Sequence, residues 1–134
     1  MQTSSLNVVV AFIQPFQLGR VVDAVRTIPN FPGMSVSDVR GFGSHAAHRP
    51  RAGERGEVYP FHECLRIEIF CRAADVATIV ETIRKAAYTG HAGDGKIFAG
   101  PLTLAVRIRT GESGEEAISE RGKPRPGRGE GDVR

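Results

Sequence analysis

Gly90-His91-Ala92-Gly93-Asp94-Gly95-Lys96 has the G-x-x-x-x-G-K spacing of a phosphate-binding loop, in which backbone N–H groups and a lysine ammonium cradle anionic oxygens. Two features separate it from the nucleotide-hydrolysing version. Ile97 stands where a Mg²⁺-holding Ser or Thr is required, and the loop runs from a helical pattern into a strand pattern, the reverse of the usual order. The segment reads either as an anion nest or as a glycine-rich helix end. Arg107 and Arg109 stand two apart in an alternating segment, which would place both guanidinium groups on one strand face ~7 Å apart. Such a pair suits a polyphosphate and equally a solvated strand edge. Gly41-Phe42-Gly43 lets backbone approach a planar ligand, or simply ends a strand. His45, His48, His62 and Cys64, with Glu63, gather borderline-soft metal donors, but their spacing matches no closed zinc pattern. No G-x-S-x-G and no His/Asp set placed by motif beside a nucleophile occurs, so the chain is not read as an enzyme.

These residues need elements to position them. Leu6 to Ile13 is a β-branched run ended by Gln14-Pro15, a strand apolar on both faces. Leu18, Val21, Val22, Val25 and Ile28 form a helical stripe that Pro29 and Pro32 stop. Met34 to Phe42 predicts a second strand. From Gly43 to His62 no apolar period survives, leaving a loop of about twenty residues, a length that in compact domains is usually functional or disordered. Leu65, Ile67, Ile69 and Cys71 then alternate with Cys64, Arg66, Glu68 and Phe70, and Val76 to Ala87 repeats at helical spacing with an end near Gly90. Ile97 to Ala99, followed by Leu102, Leu104, Val106 and Ile108, predicts a last strand. The order is βαββαβ, a ferredoxin-like α+β fold with an antiparallel sheet and both helices on one face. One sheet face is left bare although strands one and three carry Val, Ile and Phe there, so self-association is expected to cover it.

The 134 residues suffice for one domain, and the net charge of +3 raises the question of nucleic acid. Residues 1–110 hold the excess, and no nucleic-acid recognition motif accompanies it. No apolar run approaches the ~20 residues of a membrane span, and MQTSSLNVVV lacks the basic start and cleavage site of an export signal, so a cytoplasmic protein is expected. Cys64 and Cys71, ~23 Å apart along one strand, cannot pair with each other. Residues 1–5 read as an extension, and the Gly- and Pro-rich stretch 118–134 as a disordered tail.

Over nearly all of residues 6–117 the sequence resembles the P-II family of signal-transduction proteins. The match is carried by Gln14-Pro15-Phe16, Gly33-Met34-Ser35-Val36, Val39-Arg40-Gly41-Phe42-Gly43, Leu65-Arg66-Ile67-Glu68-Ile69 and Thr89-Gly90. It is carried most strongly by Gly93-Asp94-Gly95-Lys96-Ile97-Phe98 and Val106-Arg107-Ile108-Arg109-Thr110-Gly111-Glu112. The resemblance implies a homotrimer that binds ATP or ADP, with AMP a further candidate, in clefts between subunits. It also implies control of a membrane transporter or metabolic enzyme through an exposed T-loop, here residues 44–62. On that basis Gly93, Asp94, Gly95 and Lys96 of the 89–96 loop would hold phosphates, with Arg107 and Arg109 reaching them from the neighbour. Ser35, Gly41, Phe42 and Gly43 would line the base and ribose end, with Glu68 nearby. Arg49, Arg51, Arg55, Glu57 and Tyr59 would face the partner.

The pattern breaks at the loop. A glutamine that helps hold Mg²⁺ and 2-oxoglutarate in the family is replaced by His45. The resemblance therefore does not carry either ligand over to this chain. Glu57 takes the place of the tyrosine modified in some relatives, and Cys64 that of a lysine at the far base of the loop. The phosphate motif stays while the effector and modification motifs go, which implies a divergent member. The alternative is a metal-responsive regulator using His45, His48, His62 and Cys64.

Overall fold

Alternation decides which way each strand faces. A computed structural model describes residues 5–48 and 60–119. Strands β1 (Leu6–Ile13), β2 (Ser35–Gly41), β3 (His62–Arg72) and β4 (Gly95–Pro101) form one antiparallel sheet in the order β2-β3-β1-β4. Val9, Ala11 and Ile13 of β1 and Leu65, Ile67, Ile69 and Cys71 of β3 point to one face and are buried. Helices α1 (Leu18–Val25) and α3 (Val76–Ala87) cover that face with Val21, Val25, Ile79, Ile83 and Ala87, completing the ferredoxin-like arrangement. The core lies wholly between helices and sheet, where each buried aliphatic side chain contributes roughly 1.5–3 kcal/mol.

The other face carries half-buried Val8, Val10 and Phe12, and exposed Phe70 and Phe98. Phe12 and Phe98 meet edge to face at 6.2 Å, the Arg66 guanidinium lies 5.7 Å from the Phe12 ring, and Arg66 pairs with Glu68 at 2.8 Å. Seven residues apart, Cys64 and Cys71 fall on opposite faces; both are free thiols, and burial pushes each up from its ordinary pKa. No helix among the described residues is long and apolar enough to cross a membrane.

Three boundaries differ from the sequence pattern. α1 ends at Val25 and not at Ile28, because the turn tightens: the Thr27 amide bonds Ala24 O at 3.1 Å and the Ile28 amide bonds Val25 O at 3.0 Å, while the Thr27 hydroxyl also takes Ala24 O. The expected loop begins with a helical turn, α2 (Ser44–Ala47), and its last residue, His62, already belongs to β3.

The third difference matters most. β4 stops at Pro101, and Leu102 to Ile108 does not continue it. Pro101 opposes Asn7 near the start of β1, so the ladder runs out of partner after Leu102 N–H reaches Leu6 O at 3.0 Å. Arg107 and Arg109 consequently lie on no shared strand face. Residues 105–114 form a tight return in which Arg107 N–H bonds Glu112 O, Gly111 N–H bonds Arg107 O, and Val106 bridges Ser113. A further turn, α4 (Glu115–Ile118), follows, so the described chain reaches Ser119, inside the stretch assigned to the tail.

Candidate functional site

The loop between α3 and β4 is organised by one carboxylate. Asp94 accepts the amides of Thr89 at 2.7 Å and Gly90 at 2.9 Å, and the Thr89 hydroxyl as well. The Thr89 hydroxyl, and then its amide, hold the Asp94 carboxyl below the usual aspartate range. Asp94 thus closes the loop on itself, at a position for which the family resemblance implied a phosphate contact. From the end of the neighbouring strand, Gln14 Nε2 donates to Gly93 O at 2.6 Å and ties the loop to β1. Gly95 has φ +113°, and a Cβ there would stand 1.8 Å from Phe12 O, so only glycine lets β4 begin this close to β1.

With Asp94 satisfied, Lys96 supplies the loop's cation. It opens β4 opposite Phe12 and lines, with Asp94 and Arg84, a largely apolar cavity of about 420 Å³ that also includes Val80, Ile83 and Ile97.

A second cavity, of about 510 Å³, lies by the β2 edge. Ser35, Glu68, Phe70 and Arg107 line it, together with Ala117 and Ser119. Ser35 pairs with Glu68 across β2 and β3, and Arg66 fixes the Glu68 carboxylate. Arg107 Nη2 donates to Glu116 O at 3.2 Å and to Ser119 O, and its Nε lies 3.2 Å from Glu112 Oε1 without aligning a hydrogen on it. Arg109 is exposed and outside this lining.

Within one chain, therefore, the sequence-predicted residues fall into two groups. Gly93, Asp94, Gly95 and Lys96 belong to the β4 edge, and Ser35, Glu68 and Arg107 to the β2 side. Strands β1 and β3 intervene, and the outer strands are three spacings or ~14 Å apart. Gly41, Phe42 and Gly43 stand at the loop base: Phe42 stacks on Phe61 at 5.1 Å, and Arg40 lies 5.8 Å from the Phe61 ring. This stack brings the two ends of the 44–62 loop together.

His62 and Cys64 also converge there. A Cβ on Gly41 would meet His62 Nε2 at 3.0 Å and Cys64 Sγ at 3.7 Å. His48 Nδ1 instead sits 2.7 Å from Ser44 O, and of His45 only the backbone is described. No group of three or more His, Cys, Asp or Glu able to hold a metal occurs among the described residues. Arg49, Arg51, Arg55, Glu57 and Tyr59 lie outside the described residues. Thr89, Gln14 and Glu112 were missed as site residues, although each falls inside a motif noted in the sequence. Their polar partners would have been the signal.

The family model described as "Nitrogen regulatory protein P-II" matches residues 6–112. The chain belongs to the P-II family of nitrogen regulatory proteins. It is 38% identical over 108 residues to the Azospirillum brasilense P-II protein, covering 81% of this chain and 96% of that one. To the Escherichia coli nitrogen regulatory protein GlnK it is 36% identical over 115 residues, covering 84% of this chain and all of GlnK. The crystal structure of Arabidopsis thaliana PII bound to citrate superposes with a TM-score of 0.70 at 35% identity, covering 85% of this chain and 92% of that chain. The P-II assignment thus rests on sequence and fold together.

Because Asp94 has a depressed pKa, its hold on the loop is complete above the ordinary aspartate value and is lost as pH falls through the lowered one. Protection factors at Thr89 and Gly90, with the intrinsic pH dependence of amide exchange divided out, are expected to fall on acidification through that range. Asp94→Asn should lower these protection factors at neutral pH and remove their pH dependence; unchanged protection in the variant would contradict the closing role.

Proposed function

We propose that the chain is a non-enzymatic, cytoplasmic regulator that binds adenine nucleotide in clefts between the subunits of a homotrimer and signals through the 44–62 loop. The observation that carries this reading is the division of the residues proposed for the site. A rigid glycine loop with Lys96 lies at one edge of the sheet, and a cavity with Ser35, Glu68 and Arg107 lies toward the other. Two unlike surfaces that complete one site call for a heterologous contact, which closes into a ring when the rotation allows. The bare sheet face and the exposed Leu104, Val106 and Ile108 supply apolar surface for such a contact.

In this assembly the loop amides not taken by Asp94, together with Lys96 of one copy, take the β- and γ-phosphates, and Arg107 and Arg109 of the next approach from the opposite side. Ser35 and Glu68 offer hydrogen bonds to the ribose or base, beside the apolar Phe70. Phe42 stays partly exposed on the loop base, where a change in the cleft reaches the loop directly. Arg49, Arg51, Arg55, Glu57 and Tyr59 are proposed to meet a transporter or metabolic enzyme.

Calorimetric titration with ATP, ADP and AMP, with and without Mg²⁺ and 2-oxoglutarate, tests the reading. Saturable ATP or ADP binding is expected, weakened at least about tenfold by Lys96→Ala, as loss of a charged hydrogen bond implies. 2-Oxoglutarate is expected to leave it nearly unchanged. No binding, or binding indifferent to Lys96, would refute the proposal, and light scattering should give three times the mass of one chain.

The convergence of His62 and Cys64 on Gly41 supports a second reading, a metal-responsive loop base with His45 and His48 as further donors. Stoichiometric Zn²⁺ binding abolished by Cys64→Ser would favour it; a flat titration would remove it.

A further inference from the structure

The residues that follow Glu112 return to the site. Gly114 N–H bonds Ala105 O at 3.1 Å, Ala117 N–H bonds Gly114 O at 3.0 Å, and Ala117, Ile118 and Ser119 line the cavity that holds Ser35, Glu68 and Arg107. The return depends on Gly114, whose φ of 73° and ψ of −146° suit only glycine.

This segment occupies the edge of Arg107 that a phosphate would use. A guanidinium grips an oxyanion in a fork of two parallel N–H groups. Here Nη2 is given to the carbonyls of Glu116 and Ser119, and Nε faces the Glu112 carboxylate at 3.2 Å. The fit is imperfect, because Nε is buried without a hydrogen-bonded acceptor. A phosphate satisfying both nitrogens would hold the fork better. Residues 111–119 also contain Glu112, Glu115 and Glu116 and no Lys or Arg, so the docked segment repels an arriving polyphosphate.

We propose that residues 113–119 are a built-in competitor for Arg107: docked, they cap the Arg107 half of the nucleotide site, and a nucleoside polyphosphate displaces them. The inference rests on the reading of Arg107 as a phosphate ligand. The apparent affinity is then lowered by the fraction of chains in which the segment is docked, and nucleotide and docked segment exclude one another.

The test uses the full chain. Gly114→Val makes the return conformation inaccessible, and Ile118→Asp puts a charge where the segment packs; both positions lie outside the core. ATP and ADP titrations should show both variants binding about three- to tenfold tighter than the unaltered chain. Arg107→Ala should bind more weakly, and adding Gly114→Val to it should restore nothing. If Arg107→Ala weakens binding while Gly114→Val and Ile118→Asp match or fall below the unaltered chain, the competitor is overturned and the nucleotide reading stands. If Arg107→Ala has no effect, the reading of Arg107 itself fails. Saturating ATP should also speed amide exchange at Gly114 and Ala117; unchanged or slower exchange would overturn the displacement.

Discussion

Both long helices pack on the same face of a four-stranded sheet, and most of the remaining structure follows from that one-sidedness. Val9, Ala11, Ile13, Leu65, Ile67, Ile69 and Cys71 are drawn into a dry core with α1 and α3, so the alternate residues of the same strands must face the other way. Those alternates are mixed: Val8, Val10, Phe12, Phe70 and Phe98 are apolar, while Arg66, Glu68, Ser35 and Lys96 are polar or charged. A purely solvated face would not carry five large apolar side chains, and a purely structural interface would not keep an Arg66–Glu68 pair among them. A face of this mixed composition is what the proposed contact between copies calls for.

The two halves of the proposed site differ in stiffness. The 89–96 loop is closed by Asp94, tethered by Gln14 and set at Gly95 by close approach to Phe12, so its backbone is held by contacts of the chain itself. The Arg107 half is built from the return after Pro101, where the sheet no longer supports the chain, and its guanidinium is held by backbone carbonyls and one imperfectly placed carboxylate. In the proposed site, rigidity on one side lowers the ordering cost of holding a phosphate. An exchangeable contact on the other lets occupancy of the cleft alter the C-terminal segment.

Legibility in the sequence followed the range of the interactions. β1, β3 and α3 were readable because their apolar periods are local and uninterrupted, and the glycine loop with Lys96 was readable from spacing alone. The end of β4 was hidden because a strand lasts as long as its partner, and β1 begins at Leu6, far away in sequence. The Gln14 tether to Gly93 spans 79 positions, and Glu112 acts on Arg107 only because the chain turns back at Gly111. Asp94 was recognised as part of the motif, but its role needed geometry: a carboxylate in a loop proposed to bind an anion makes sense once its acceptors are seen to be spent on Thr89 and Gly90.

That the nucleotide site is completed between copies is the central claim, and subunit complementation tests it most directly. Lys96→Ala spoils the loop half of every cleft and Arg107→Ala the other half, so each variant alone should lack high-affinity sites. Co-expressed in equal amounts and randomly assembled, the two should give about one cleft in four with an intact Lys96 from one copy and an intact Arg107 from its neighbour. Recovery of that fraction of sites at full ATP affinity is the predicted result. A mixed assembly with no more high-affinity sites than its parents would contradict the account and place Lys96 and Arg107 in a site within a single chain, or in none.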